Sequence, residues 1–462
     1  MVAKTKMNNT NHIGLIGLGT MGASLARNLA HRAYKVAVYN RTFEKTEEFL
    51  NKYASEGEFQ GCETLEDFVK SIQAPRRIIL MVQAGAAVDE MLEKLMPLME
   101  KGDSVMDGGN SFYKDTETRQ KKFAERGLFF FGVGVSGGEK GALEGPSIMP
   151  GGPAEAWKLF QEPLEKIAAH DFEDRPCVAY MGAGGSGHAV KMVHNGIEYG
   201  MMQLIGEAYM LGANGEMFAE WSTGKLQGYL IEIAAKIFNK KEILEKILDV
   251  AGQKGTGIWT SQEALAHGVP VNTITEAVFA RALSAKKNLR KHSEKPKALK
   301  SSAPFALPKE ILESTLELGF LTCYTQGFDL LNEMNFSQKA KKSEIARVWQ
   351  GGCIIRSQML KMIKIAFEKN EEIHLFENEE IQKKIQENLP ALRELVKTAV
   401  EKGIPVTAFG SVVAYIDTLA TENLKGISLI QALRDCFGAH TYQRSDKDGT
   451  FHTDWESETP TS

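Results

Sequence analysis

Between residues 12 and 182, short runs rich in Val, Ile, Leu and Phe alternate with stretches whose apolar positions recur at helical spacing. The runs are HIGLIG, YKVAVYN, RIILMV, DSVMDGG, LFFFGVGV and CVAYMG, and the helical stretches between them cover 21–32, 43–53, 86–100 and 113–126. Alternation of this kind predicts βαβ units building a parallel sheet. After Gly187 the strand pattern stops, and long helical periods follow at 186–213, 226–250, 272–292, 309–335, 343–368 and 378–402, with Gly or Pro between them. An all-helical domain is expected there. Past about residue 425 the pattern weakens, and the closing RSDKDGTFHTDWESETPTS is too polar to bury a core of its own. That tail is expected to pack on something else.

Composition narrows the class. The 462 residues are 43% apolar and 25% charged, a balance that excludes disorder and fibrous repeats and is enough for two or three domains. With 55 Lys and Arg against 59 Asp and Glu, the net charge is -4, so no basic field exists to bind a nucleic-acid backbone. The basic stretch 286–304 reads as a solvated helix end and loop. Cys62, Cys177, Cys323, Cys353 and Cys436 are scattered and never in CxxC spacing, which argues against a disulfide framework or a zinc knuckle and fits a reducing cytoplasm. The start, MVAKTKMNNTNH, has no apolar core of a signal peptide, and no apolar run approaches the ~18 residues of a membrane helix. A cytoplasmic chain with no membrane and no nucleic-acid partner is expected.

The first strand run leads directly into GLGTMG and then a helix. In that setting Gly17, Gly19 and Gly22 form a dinucleotide fingerprint: the first makes the tight turn, the second admits a pyrophosphate to the backbone, and the third lets helix pack on strand. The pyrophosphate would sit on the helix N-terminus, where free N–H groups favour an anion. An NAD enzyme places an acid roughly 20 residues further on. Here the second strand ends in Asn40-Arg41-Thr42, which offers an arginine and a hydroxyl to a 2′-phosphate and favours NADP.

In GSGHAVKMVHNGIEYGMMQLIGEAY, Lys191, His194, Asn195, Glu198 and Tyr199 fall at i, i+3, i+4, i+7 and i+8, on one face of one helix. A helix at a domain junction would normally carry apolar residues there, so this face suggests a lined cleft. Ser136, Gly137 and Gly138 follow a strand and offer a hydroxyl and free N–H groups to a carboxylate or polyol, although a plain glycine turn reads the same way. Lys254 in KGTG, Arg281, Arg434 and His440 are cationic groups among small or apolar residues that together could grip a phosphate and a carboxylate; singly, each is more often a surface charge than a ligand contact. No HExxH or His-x-His is present among ten histidines, so no metal is expected.

Taken in order, GLGTMG, NRT, DGGNS, GVSGGEKGA, GPSIMPGG, KMVHNGIEYG, GQKGTG, EAVFAR and RDCFGAHTY resemble the 6-phosphogluconate dehydrogenases, NADP-dependent decarboxylating enzymes of the pentose phosphate pathway, from about Ile13 to Arg444. The resemblance implies a Rossmann-like NADP-binding domain over 1–183, an all-helical substrate and dimerisation domain over 184–424, and a tail over 425–462 that reaches the partner subunit of a homodimer. It implies that NADP is held by Gly17, Leu18, Gly19, Thr20, Met21, Gly22, Asn40, Arg41, Thr42, Val82, Gln83, Ala84 and Asn110. Lys191 would be the general base and later acid, and Glu198 the acid that protonates the product carbon. Ser136, Gly137, Gly138, His194 and Asn195 would hold the carboxylate and hydroxyls of 6-phosphogluconate, with Asn110 between substrate and nicotinamide. Tyr199, Lys254 and Arg281, with Arg434 and His440 of the other subunit, would hold its phosphate. The chain departs from the family pattern at Gly19, often Ala, and at Gln83, often Lys. A β-hydroxyacid dehydrogenase acting on a small non-phosphorylated substrate is the alternative; it shares the glycine start and a lysine but carries KxxNN where this chain has Lys191 followed by His194-Asn195.

Overall fold

The computed structural model describes residues 11–292 and 305–456; most of the basic stretch, from 293 to 304, lies outside them. Its sheet contains β1 (Ile13–Ile16), β2 (Val36–Tyr39), β3 (Phe59–Gly61), β4 (Arg77–Leu80), β5 (Ser104–Asp107), β6 (Phe129–Ser136) and β7 (Ser147–Gly151), in the order β3-β2-β1-β4-β5-β6-β7. The strands from β3 to β6 run parallel, as the alternating pattern predicts. Ile13, Leu15, Val36 and Val38 bury on one face, while Ile16, Ala37, Ile78 and Leu80 bury on the other, so the sheet has an apolar layer on each side. Chain order reverses between β1 and β4, the crevice where such sheets bind nucleotides.

Two expectations for the sheet fail. β7 is antiparallel to β6, and it comes from the glycine- and proline-flanked SIMPG. CVAYMG forms no strand. It meets β7 through Ile148 N–H to Cys177 O at 2.9 Å and Met181 N–H to Pro150 O at 2.7 Å, but Pro150 has no N–H to continue a ladder and only one isolated bridge forms. Strand β3, three residues long, is too short to show an alternation.

Helices follow from residue 186. Ser186–Met210, Lys309–Glu333 and Glu379–Glu401 match expected helices nearly end to end. The expected 226–250 breaks into Tyr229–Phe238 and Lys241–Leu244, 272–292 into Asn272–Ser284 and Lys287–His292, and 343–368 into Lys342–Val348 and Met359–Lys369. The last break has a reason in the sequence, since Gly352 adopts φ +62° in the intervening turn. Thr256–His267 and Lys425–Gly438 are helices that the periodicity did not announce.

The chain divides into two compact units, Met1–Ser411 and Val412–Ser462. The second contains the Lys425–Gly438 helix and an antiparallel bridge between Tyr442 and Phe451. Its organiser is polar. Asp435 is fully buried and accepts bonds from Thr441 N–H and His452 Nδ1 at 2.9 Å, Thr453 N–H at 3.0 Å and Trp455 Nε1 at 2.9 Å. Burial alone would raise the Asp435 carboxyl, and these donors hold it below the usual carboxylate range. The tail expected to lack a core of its own is therefore ordered within its unit around a buried carboxylate.

Candidate active site

The Ser186–Met210 helix, the central helix, is buried around nearly its whole circumference. It packs on β6 and β7 and on the helices Thr256–His267, Asn272–Ser284 and Lys309–Glu333. Glycines set how closely it sits. A Cβ at Gly134 would fall 2.4 Å from Lys191 Cβ, one at Gly132 2.7 Å from His188 Nδ1, and one at Gly151 2.2 Å from Gly187 N. Because side chains on a strand alternate, Gly132, Gly134 and Ser136 share one face of β6. The two glycines clear that face for the helix, and Ser136 then meets the residue one turn past the lysine.

Lys191 and Asn195 are buried, and His194 is fully so. His194 Nε2 lies 3.2 Å from Ser136 Oγ, and its Nδ1 lies 3.0 Å from Asn195 Oδ1, 3.4 Å from Lys191 Nζ and 4.0 Å from a Glu198 carboxylate oxygen. The sequence-predicted Ser136, Lys191, His194, Asn195 and Glu198 thus converge. Burial pushes the Lys191 ammonium below the usual lysine range against the opposing pull of Glu198. Burial, reinforced by Lys191, pushes His194 well below its usual value, so the ring is neutral, and it pushes the Glu198 carboxyl up against Lys191 and Arg281. A lysine that loses its proton readily beside a carboxyl that keeps one readily can move protons in both directions.

Gly137 (φ +115°) and Gly138 (φ +63°) require glycine for their backbone, and a Cβ at Gly137 would also meet Gly352 O at 2.6 Å. The Arg281 guanidinium stacks 3.5 Å from the centre of the Tyr199 ring, and its Nη1 donates to Gly252 O at 3.3 Å in the loop that carries exposed Lys254. Arg434 and His440 are exposed members of the second unit, where Arg434 Nη1 bonds Gln431 at 2.9 Å.

At the nucleotide end, Gly17 adopts φ +99° and a Cβ on it would fall 2.4 Å from Met81 O, while one on Gly22 would fall 1.9 Å from Gly17 O. Those two glycines serve the protein's own packing. Gly19 differs, since a Cβ there would meet nothing within 4 Å, and the position fits a backbone that an anion approaches. Asn40 braces the turn by accepting from Leu18 N–H at 3.1 Å, leaving Arg41 and Thr42 exposed at the end of β2. Thr20 and Met21 open the following helix, Val82 lies against the Gly17 turn, and Ala84 and exposed Gln83 follow β4. Asn110 is exposed after β5. These residues fit a dinucleotide with an extra phosphate.

Sequence reasoning missed the groups beneath these: Asp107, Ser111, Thr116, Arg119 and His188, and Glu263, which accepts from Tyr113 and Lys114 at 2.7 Å. Asp107, Ser111 and His188 lie in segments already in view, DGGNS and GHAVK, but nothing in a motif says which polar residue faces inward; Thr116, Arg119 and Glu263 lie outside any motif. Among the described residues no three His, Cys, Asp or Glu gather as metal ligands would, and no helix is long and apolar enough to cross a membrane.

A sheet with a glycine-lined switch point, beside a helix carrying a buried lysine of lowered proton affinity, defines a dinucleotide-dependent dehydrogenase. Residues 12–182 match the NAD binding domain of 6-phosphogluconate dehydrogenase and residues 187–455 its C-terminal domain, and the chain belongs to that family. It is 47% identical to the NADP(+)-dependent, decarboxylating 6-phosphogluconate dehydrogenase of Bacillus subtilis, over 96% of this chain and 98% of that one. The decarboxylating enzyme of Escherichia coli is 44% identical, with 96% and 98% covered. A structure of Plasmodium falciparum 6-phosphogluconate dehydrogenase, studied in apo form and with NADP+ and 6-phosphogluconate, superposes with a TM-score of 0.90 at 41% identity, covering 96% of this chain and all of that one.

Proposed function

We propose that this chain oxidatively decarboxylates 6-phosphogluconate with NADP, giving ribulose 5-phosphate, CO2 and NADPH. The observation that carries the reading is the buried Lys191, its proton affinity lowered by burial, on the same helix face as His194, Asn195 and Glu198. NADP supplies the hydride acceptor. Gly17, Leu18, Gly19, Thr20, Met21 and Gly22 would hold its pyrophosphate, Asn40, Arg41 and Thr42 its 2′-phosphate, and Val82, Gln83, Ala84 and Asn110 the path toward the nicotinamide. Neutral Lys191 takes the proton of the carbon 3 hydroxyl as that carbon is oxidised. The protonated lysine then donates to the new carbonyl, which draws in the electron pair released as the carboxylate leaves as CO2. Glu198, holding its proton because burial raises it, protonates carbon 1 of the enediol. The carbonyl itself is the electron sink.

Ser136, Gly137, Gly138, His194 and Asn195 hold the substrate's carboxylate and hydroxyls in this reading, and Tyr199, Lys254 and Arg281 its phosphate. The partner subunit of a homodimer supplies Arg434 and His440 through an exchanged tail; support comes from the exposed Ile427, Leu429, Ile430, Leu433 and Phe437 on the Lys425–Gly438 helix. Five free cysteines support a reducing, cytoplasmic setting. The β-hydroxyacid alternative is not favoured, because the family match extends through the entire helical part.

Absorbance of NADPH formed from 6-phosphogluconate tests the proposal, and turnover confined to a small non-phosphorylated β-hydroxy acid would overturn it. Arg41→Ala tests the coenzyme. It should weaken NADP by about 2 kcal/mol and NAD far less, as expected for one lost charge-assisted contact.

A further inference from the structure

Asp107 closes β5 and is fully buried, and its side-chain hydrogen bonds go to residues other than those assigned above to substrate or coenzyme. Its Oδ1 accepts the N–H of Gly109 at 3.0 Å, and its Oδ2 accepts the hydroxyl of Ser111 at 2.6 Å. The two bonds grip the turn on either side of exposed Asn110. Gly108 and Gly109 bring no side chains to stiffen that turn; Gly108 N–H ties its start to Leu80 O at 2.9 Å, and beyond that the carboxylate holds it.

The same residue reaches the central helix. Its backbone carbonyl lies 3.1 Å from His188 Nε2, and since a carbonyl only accepts, Nε2 carries the proton. His188 Nδ1 then accepts from the Thr116 hydroxyl at 2.7 Å, which satisfies a ring that burial keeps neutral. His188 stands one turn before Lys191. On the other side, Arg119 Nη1 lies 3.8 Å from Asp107 Oδ2 and is buried without a hydrogen-bond partner, while Nε and Nη2 bond Asp89 at 2.8 and 3.0 Å. Arg119 Nη2 also donates to Gly85 O at 3.3 Å, at the end of the 82–84 turn.

We infer that Asp107 is a positioning residue: through Gly109, Ser111 and His188 it sets Asn110 in register with Lys191. The inference rests on the placement of Asn110 between substrate and nicotinamide. Hydride transfer needs donor and acceptor carbons held in near-attack geometry, and an error of about 1 Å in a supporting group can cost about 100-fold in rate.

The test uses the full chain with Asp107→Asn and Ser111→Ala. In the ligand-free protein, hydrogen exchange over 108–112 should quicken about 10-fold in both variants, while β5 and the central helix keep their protection. With substrate and coenzyme, kcat should fall about 100-fold in Asp107→Asn and about 10-fold in Ser111→Ala. The KM for NADP should stay within about two-fold, and the isotope effect from deuterium at carbon 3 should rise as hydride transfer becomes limiting. Unchanged exchange over 108–112 would overturn the inference, as would a kcat loss accompanied by lost protection across the whole sheet. Asn110→Ala separates the two levels. If it leaves kcat intact, the placement of Asn110 fails and the inference with it; if it impairs kcat while Asp107→Asn and Ser111→Ala do not, the inference alone fails.

Discussion

Two helices of this chain invert the usual rule for opposite reasons. The central helix, Ser186–Met210, buries its polar groups: Lys191 is 6% exposed and His194 0%. The Lys425–Gly438 helix exposes its apolar ones, with Leu433 at 54% and Phe437 at 74%, and buries Asp435. In the first, each buried polar group has a partner or a shifted proton affinity, so the cost of desolvation becomes chemistry within one unit. In the second, ordering comes from a polar hub, and among the described residues the apolar face stays exposed. The first helix is finished by its own chain, and the second presents what the proposed exchange would cover.

The largest effect should come from Lys191→Met. Removing the base should lower kcat about 1,000-fold or more, and a variant that still forms NADPH at the native rate would break the contrast at its chemical end. The pH dependence follows in sign. Burial lowers the Lys191 ammonium, so the neutral base is populated below the usual lysine range, and kcat/KM should fall as pH drops through that lowered value. Folded Lys191 releases its proton before the unfolded chain does, so the unfolded state binds more protons in that window and stability rises with pH across it. Denaturant titrations of Lys191→Met should lose that slope.

Complementation tests the other helix. If each site joins Lys191 of one chain to Arg434 of its partner, inactive Lys191→Ala and Arg434→Ala chains refolded together give mixed dimers with one doubly defective site and one intact site. Random pairing should then restore about a quarter of native activity. A tail serving its own chain leaves one defect in every site, and mixing would gain nothing.

The close packing of the central helix can be broken by one methyl group. Gly134→Ala puts a Cβ 2.4 Å from Lys191 Cβ and 3.0 Å from its Cγ, both on the stem of the base and not at a flexible tip. The expected cost is about 1–3 kcal/mol in denaturant unfolding, as for other overpacked sites, with kcat reduced because the lysine is displaced. Unchanged stability and rate would mean that the glycines of β6 do not set the approach of the helix.

The sequence was most legible where one pattern had one cause. Parallel strands β1, β2, β4, β5 and β6 followed from apolar runs, and Lys191, His194, Asn195 and Glu198 followed from helical spacing. It was least legible where partners are remote. Nothing local distinguishes Ser147–Gly151, which finds an antiparallel neighbour, from Cys177–Gly182, which does not. The polar hub at Asp435 depends on donors 6 to 20 residues away, so a tail that looks too polar to fold acquires order no periodicity could announce. Asp107 and His188 sit inside motifs that were noticed for their neighbours, and only the bonds of the folded chain reveal what they hold.

The smallest effect concerns Gly426, which stands with Ile430, Leu433 and Phe437 along one side of the Lys425–Gly438 helix. A Cβ there would meet nothing within 4 Å. Alanine is favoured over glycine in a helix by roughly 0.5–1 kcal/mol, so Gly426→Ala should leave activity intact and raise stability by about that amount. Set beside Gly134→Ala, the pair puts the same methyl group on a glycine that packing requires and on one it does not. A loss at Gly426 as large as that at Gly134 would show that the covered stripe begins at Gly426 itself, with the partner's backbone approaching too closely to admit a side chain.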